Sequence, residues 1–215
     1  FLWFLFYSFV GWVYESILVS CQERRLVNRG FLNGPLCPIY GTGAVLGIAV
    51  LGNLHNPIII FLISMVGATI LEYTTSWVME ELFHARWWDY SNFRFNVQGR
   101  VCLLGAVIFG IAGVVIVLGA QPYVAQFTDL IPVPMLHTLV TVLALVTIID
   151  LAVTVAGMLE FEQVLDSVTQ TVQDVAARAG DTWQWGSSAV SDKMRELSRD
   201  TIERLRWAVN GVINA

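Results

Sequence analysis

The phrase Trp12-Val13-Tyr14-Glu15 returns as Trp77-Val78-Met79-Glu80, each copy closing an apolar stretch. Further matches keep the same offset of 65 positions: Arg29 with Arg94, Gly34 with Gly99, and Cys37 with Cys102. Self-similarity at a fixed distance is the mark of a duplicated supersecondary unit. Here the unit reads as helix, basic connection and returning helix, over roughly 1–55 and 66–120, and each copy contains two apolar stretches. An even number of crossings keeps both copies in one orientation, so a parallel repeat is expected.

With 56% hydrophobic residues, 13% charged residues and a mean hydropathy of +0.64, the chain carries too much apolar surface for an ordinary soluble domain. A bilayer is the solvent that fits. Spanning its hydrocarbon core takes about 20 residues, and five stretches qualify: roughly 1–20, 36–53, 57–80, 101–120 and 135–158. The second is the shortest. The first is too long, and wrongly flanked, for a cleaved signal peptide. The expected fold class is therefore all-α: an integral membrane helical bundle of about five spans over 1–159, followed by a cytoplasmic helical tail over 160–215.

The 12 Lys and Arg residues set the expected orientation. Arg24, Arg25 and Arg29 lie in the first connection, Arg86, Arg94 and Arg100 in the third, and the other six follow the last span. The second and fourth connections have none. The positive-inside rule then places the N-terminus outside and the C-terminus inside the cytoplasmic (inner) membrane. Cys21, Cys37 and Cys102 fall near the cytoplasmic side, where thiols stay reduced, and read as packing residues. His55 and His137 fall on the opposite side from His84, which argues against a metal centre. No cofactor, metal or nucleic-acid partner is expected.

Small residues recur in the returning helices: Gly41, Gly43 and Gly47 in one, Gly105, Gly110 and Gly113 in the other. They read as sites of close helix approach. Gly41-x-Gly43-x-x-x-Gly47 is not read as a nucleotide loop, because no strand precedes it. After the fifth span, apolar residues step by three and four from Phe161 to Ala179 and again from Val190 to Val212. That stripe suits a partner helix, self-association or the membrane surface. The tail's excess of acidic residues disfavours anionic lipid, whereas Trp183, Trp185 and Trp207 favour an interface.

Four carboxylates fall inside spans: Glu15, Glu72, Glu80 and Asp150. A central Asp costs about 2.5–3.5 kcal/mol on insertion scales, so these groups should face the bundle interior or a water-filled vestibule. At such a depth a carboxyl group is protonated, paired with an arginine or bound to a cation. Glu15 and Glu80 could pair with Arg29 and Arg94 across a pseudo-twofold axis, or they could form a site. The loop from Val27 to Gly41 mixes Gly, Pro and amide residues with apolar ones, as a loop folded back into protein would. Arg29 there could hold a phosphate or carboxylate. The stretch Trp87-Trp88-Asp89-Tyr90-Ser91-Asn92-Phe93-Arg94 suits an aromatic belt at the boundary. The candidate binding residues are Glu15, Arg29, Asn33, Glu72, Glu80, Asp89, Arg94 and Asn96.

Gly11-Trp12-Val13-Tyr14-Glu15, Asn28-Arg29-Gly30-Phe31-Leu32-Asn33-Gly34-Pro35, Pro38-Ile39-Tyr40-Gly41 and Trp87-Trp88-Asp89-Tyr90-Ser91, with Asn96 and Gly99, form a chain of motifs. Over roughly 1–150 they resemble the bacterial multi-span membrane proteins described as putative ABC-transporter type IV, or CmpB-like, permeases. The resemblance implies a transport component of the bacterial cytoplasmic membrane. The chain has no Walker A sequence, so such a component needs a separate ATPase, another membrane subunit or an ion gradient. Two other readings stay open. One is an inner-leaflet headgroup-binding protein or membrane enzyme, although no nucleophile-base pair stands out. The other is a scaffold whose tail helices recruit a partner.

Overall fold

In the computed structural model, which describes residues 1–83 and 86–182, six α-helices carry nearly all the ordered backbone. They are α1 (Leu2–Glu23), α2 (Pro38–Leu51), α3 (Pro57–Phe83), α4 (Leu103–Val114), α5 (Gln121–Asp129) and α6 (Val133–Thr182). A π-helical segment, Val115–Ala120, joins α4 to α5 without a break. The chain is an all-α membrane bundle. Its helices present long apolar faces outward, including Ile17, Val50, Ile58, Ile70 and Val146, as helices bathed in lipid do.

Local sequence explains the boundaries. Arg24 ends α1 in the left-handed region, at φ 54°. Pro38 opens α2, where a missing N–H costs nothing. The Asn56 side chain accepts the Ile58 and Ile59 N–H groups at 3.0 and 3.3 Å and so caps α3. The π segment leads directly to Pro122, near the start of α5. Proline has no N–H to give to the carbonyl one turn back, and a shift of the hydrogen-bond ladder accommodates that loss.

The five apolar stretches emerge as helices close to their expected positions, with two differences. Leu2–Cys21, Pro57–Phe83, Leu103–Asp129 and Val133–Leu159 are long and apolar enough to cross a membrane. The helix from the expected 36–53 span is shorter, at 14 residues, and rises only about 21 Å at 1.5 Å per residue. Proline at 38 fixes its start and the Gly52 turn its end. The fourth span runs on past the expected residue 120, because α5 continues the helix to Asp129.

The repeat is visible in the fold. Cys37 and Cys102, one offset apart, are the N-cap residues of the two returning helices α2 and α4. Within each copy the outgoing and returning helices pack together, α1 on α2 and α3 on α4. Leu51, Ile60 and Val117 form a buried cluster, with Leu54 and Val114 against it. Trp3 Nε1 donates to Thr128 Oγ1 at 3.1 Å and the Tyr7 hydroxyl to Gln121 Oε1 at 3.0 Å, tying α1 to α5.

The connections of the two copies differ. The first, residues 24–37, is irregular. The second contains a minimal antiparallel hairpin, β1 (Asn96–Val97) and β2 (Val101–Cys102), pairing Asn96 with Cys102 and Val97 with Val101. Its turn holds Gln98 and Gly99 at φ 54° and 70°, and Arg100 N–H donates to Val97 O at 3.0 Å. Two successive positive φ angles match the right-handed twist of a hairpin, and glycine takes one of them without steric cost.

Helix α6 continues from the last apolar span to Thr182 as one helix. The stripe from Phe161 to Ala179 lies on it. The second stripe, Val190 to Val212, and the tail tryptophans lie outside the described residues, as does His84.

Candidate functional site

Two acid-tyrosine couples occupy the region where the hairpins meet. On α1, Glu15 receives a short hydrogen bond from the hydroxyl of Tyr40, which sits in the first turn of α2. The Tyr40 ring lies 6.2 Å from that of Tyr14 and 6.1 Å from that of Phe109 on α4. On α3, Glu72 is 4% exposed and accepts the Tyr90 hydroxyl on Oε1 at 3.0 Å. Its other oxygen, Oε2, is buried with no hydrogen-bond partner among the described residues. Glu15 is near enough to act electrostatically on both Glu72 and Tyr90.

Oε2 of Glu72 points toward the start of α4. A Cβ added at Gly105 would lie 3.9 Å from it and 3.6 Å from Cys102 Sγ. The positive end of a helix favours a nearby anion by about 0.3–1 kcal/mol, rising to about 2 kcal/mol when partly buried. A hydrogen bond to a charged group adds about 1.5–3 kcal/mol. Against these stands the effective burial penalty of several kcal/mol for an ion in a protein interior. The nearby arginines are engaged elsewhere: Arg29 donates to Trp87 O, while Arg86 and Arg100 bind Glu80.

Just outside these couples the polar groups organise the connections. Glu80 binds Arg86 Nε at 3.1 Å and Arg100 Nη2 at 2.7 Å. Arg100 also lies over the Tyr73 ring, 5.4 Å from its centroid, and its carbonyl accepts Trp88 Nε1 at 2.9 Å. Asp89 accepts the Ser91 hydroxyl and its N–H; these bonds, helped by Arg86, hold the Asp89 carboxyl below the usual carboxylate range. The Asn96 side-chain amide donates to Phe93 O at 2.8 Å and accepts Gly99 N–H at 3.1 Å, fixing the hairpin. Burial, then the charge of Glu72, pushes the Tyr90 hydroxyl up, so it is a donor at neutral pH.

The first connection is pinned to α6. Asp150 accepts Asn33 N–H at 3.2 Å and Gly34 N–H at 2.9 Å, and Asn33 Nδ2 donates to Thr154 Oγ1 at 2.9 Å. Ser16 and Ser20 of α1 accept the Arg29 and Val27 N–H groups at 3.1 and 3.0 Å. Cys37 N–H donates to Ser8 O at 2.9 Å. Burial, then Glu15, pushes the Cys37 thiol up to about 12. That thiol is a packing group rather than a thiolate.

Of the eight candidate residues, the structure brings Glu15 and Glu72 into one neighbourhood. Glu80 and Asp89 lie around Arg86. Asn33 joins the first connection to α6, Asn96 orders the hairpin, and Arg29 links the first connection to the third through Trp87 O. Arg94 is exposed, with its guanidinium 5.8 Å from the Phe95 ring centroid. Where pairing of Glu15 with Arg29 and of Glu80 with Arg94 is one of two readings of the sequence, the described residues show Glu15 with Tyr40 and Glu80 with Arg86 and Arg100. The second connection carries a hairpin that the first lacks, and this delivers Arg100 to Glu80. Sequence reasoning did not assign site roles to Tyr40, Tyr90, Thr154 and Asp150. The first two stand in the quoted motifs, and Asp150 was already conspicuous as an acid within a span.

An apolar helical bundle with interior carboxylates is the architecture of a polytopic membrane protein, and such acids sit where polar species are handled. The family model described as "Putative ABC-transporter type IV" matches residues 2–155, and the chain belongs to that family. No curated protein and no solved structure matches it.

Proposed function

We propose that the chain is the permease-like component of a transporter in the bacterial cytoplasmic membrane, with Glu15 and Glu72 lining its pathway. The carrying observation is the pair of carboxylates held by Tyr40 and Tyr90 in the bundle interior. Acids there cost stability and serve polar cargo or ions. Family membership supports the transport reading. The basic first and third connections face the cytoplasm in this reading, with the N-terminus outside and the C-terminus inside. Arg29, Glu80 and Asp89, with Asn33 and Asn96, shape the inner mouth, and Arg94 stands exposed at its edge. The transmembrane unit covers about 1–159. Residues 160–215 form the cytoplasmic tail, which pairs with a partner or with itself.

The lipid reading has one observation in its favour. An open groove of about 770 Å³ runs along the end of α1, lined by Trp12, Ile17, Leu26 and Val27 with Arg24 and Arg25. Apolar walls beside arginines suit an anionic headgroup and its chain.

Purification of the tagged full chain from its native membranes separates these readings. The permease reading expects a Walker A ATPase to co-purify. Glu15→Gln with Glu72→Gln should preserve that assembly and lower its ATP hydrolysis roughly tenfold or more, the effect of about 1.4 kcal/mol in a barrier. Stoichiometric phospholipid without an ATPase would favour the groove instead.

A further inference from the structure

We propose that Glu72 is an exchangeable-proton site within the bundle. Its Oε2 carries the hydrogen, and Tyr90 fixes Oε1. The inference deepens the permease reading, on which it rests, by naming the ion that the acid-tyrosine cluster handles.

Three observations converge on Oε2. It is buried in a residue 4% exposed, it has no hydrogen-bond partner among the described residues, and it faces the narrow space before Gly105 rather than an arginine. A buried carboxylate lacking a cation takes up a proton in preference to remaining bare. The groups facing it are Glu15 from α1, Tyr90 from the third connection and Cys102 at the start of α4. Glu15 is a second carboxyl group and Tyr90 donates to the opposite oxygen, so neither supplies a cation to Oε2.

The donor set also selects the ion. Alkali and alkaline-earth cations need about six oxygen ligands, whereas Oε2 has beside it a thiol and a helix start. A proton needs one oxygen. Loading transfers H⁺ from hydronium to the carboxylate, forming one O–H bond and leaving water. Unloading reverses the transfer, with no electron exchanged.

The gap before Gly105 follows from the repeat. One offset back from Gly105 stands Tyr40, the phenol that serves Glu15. One offset back from Glu72 stands Tyr7. The second copy therefore carries an acid where the first has a phenol, and glycine where the first has its other phenol. Glycine at 105 brings no side chain into the space beside Oε2.

The test is infrared difference spectroscopy of the full chain in phospholipid vesicles at neutral pH, in H₂O and in D₂O. The wild type should show a protonated-carboxyl C=O band that shifts in D₂O, with a component lost in Glu72→Gln. Tyr90→Phe should keep that component and move it to higher frequency, because the C=O loses its hydrogen bond. Should Glu72→Gln fail to fold, this frequency shift carries the test. Absence of the band, its full persistence in Glu72→Gln, an unmoved band in Tyr90→Phe, or its appearance only after removal of sodium and potassium would overturn the proposal. A missing band with a co-purifying ATPase would sink the proton site and leave the permease reading standing. A band without an ATPase would do the reverse.

Discussion

Replacing Gly41 with alanine is expected to destabilise the α1–α2 hairpin by about 1–3 kcal/mol or more, the range for forcing extra volume into a packed contact. A Cβ at Gly41 would collide with Ser8 Oγ and with the main-chain carbonyl of Phe4. A flexible side chain could swing aside, but the carbonyl belongs to the α1 backbone. Relief therefore requires the helices to separate, which also disturbs the Cys37 N–H bond to Ser8 O and the seat of Tyr40 on Glu15. A Cβ at Gly47, on the same helix, meets nothing within 4 Å among the described residues. There Gly47→Ala should be neutral or stabilising, since alanine gains about 0.8–1.0 kcal/mol of helix propensity. Thermal unfolding in detergent, followed by tryptophan fluorescence, checks the contrast. Equal melting temperatures for the two variants would show that close approach at Gly41 is not what holds α2.

Asp150→Ala should free the first connection from α6. The substitution leaves the Asn33 and Gly34 N–H groups without their carboxylate acceptor; Asn33 is exposed and Gly34 half-buried, so water replaces part of the loss and the cost is about 1 kcal/mol, the net worth of a hydrogen bond. Thr154 Oγ1 still accepts from Asn33, so the loss should concentrate at Gly34. Amide exchange over residues 29–36 should accelerate about fivefold, at about 1.4 kcal/mol per decade. Asp150→Asn keeps one carbonyl acceptor and should fall between. Exchange unchanged in Asp150→Ala would mean that the connection is held by its contacts with α1 alone.

The helices were legible in the sequence because apolar length reports bilayer thickness directly, and the 65-position offset located both returning helices at their cysteine caps. The shortness of α2 was legible only in part. Its residues are apolar throughout, so its ends rest on Pro38 and Gly52 rather than on composition. Partner choice was harder to read, since the repeat implies that equivalent acids have equivalent partners. The connections had diverged: one folds onto α6 through Asp150, the other makes a hairpin that carries Arg100 to Glu80. An offset in sequence preserves backbone position but says little about which side chain arrives from a loop. Glu72 was recognisable as an intramembrane acid, whereas Tyr90 lies 18 positions away across a connection. No helical or strand periodicity links two such residues.

Tyr90 reaches back from the third connection to Glu72 inside the bundle, and cross-linking Glu72→Cys with Tyr90→Cys by a short bismaleimide in native membranes checks that approach. The background should carry Cys21→Ser, Cys37→Ser and Cys102→Ser, because Cys102 Sγ lies beside Glu72 at the start of α4 and would itself pair with a thiol at position 72. Efficient cross-linking is expected in the double variant and only background levels in either single variant. A double variant that reacts no more than the singles would contradict it.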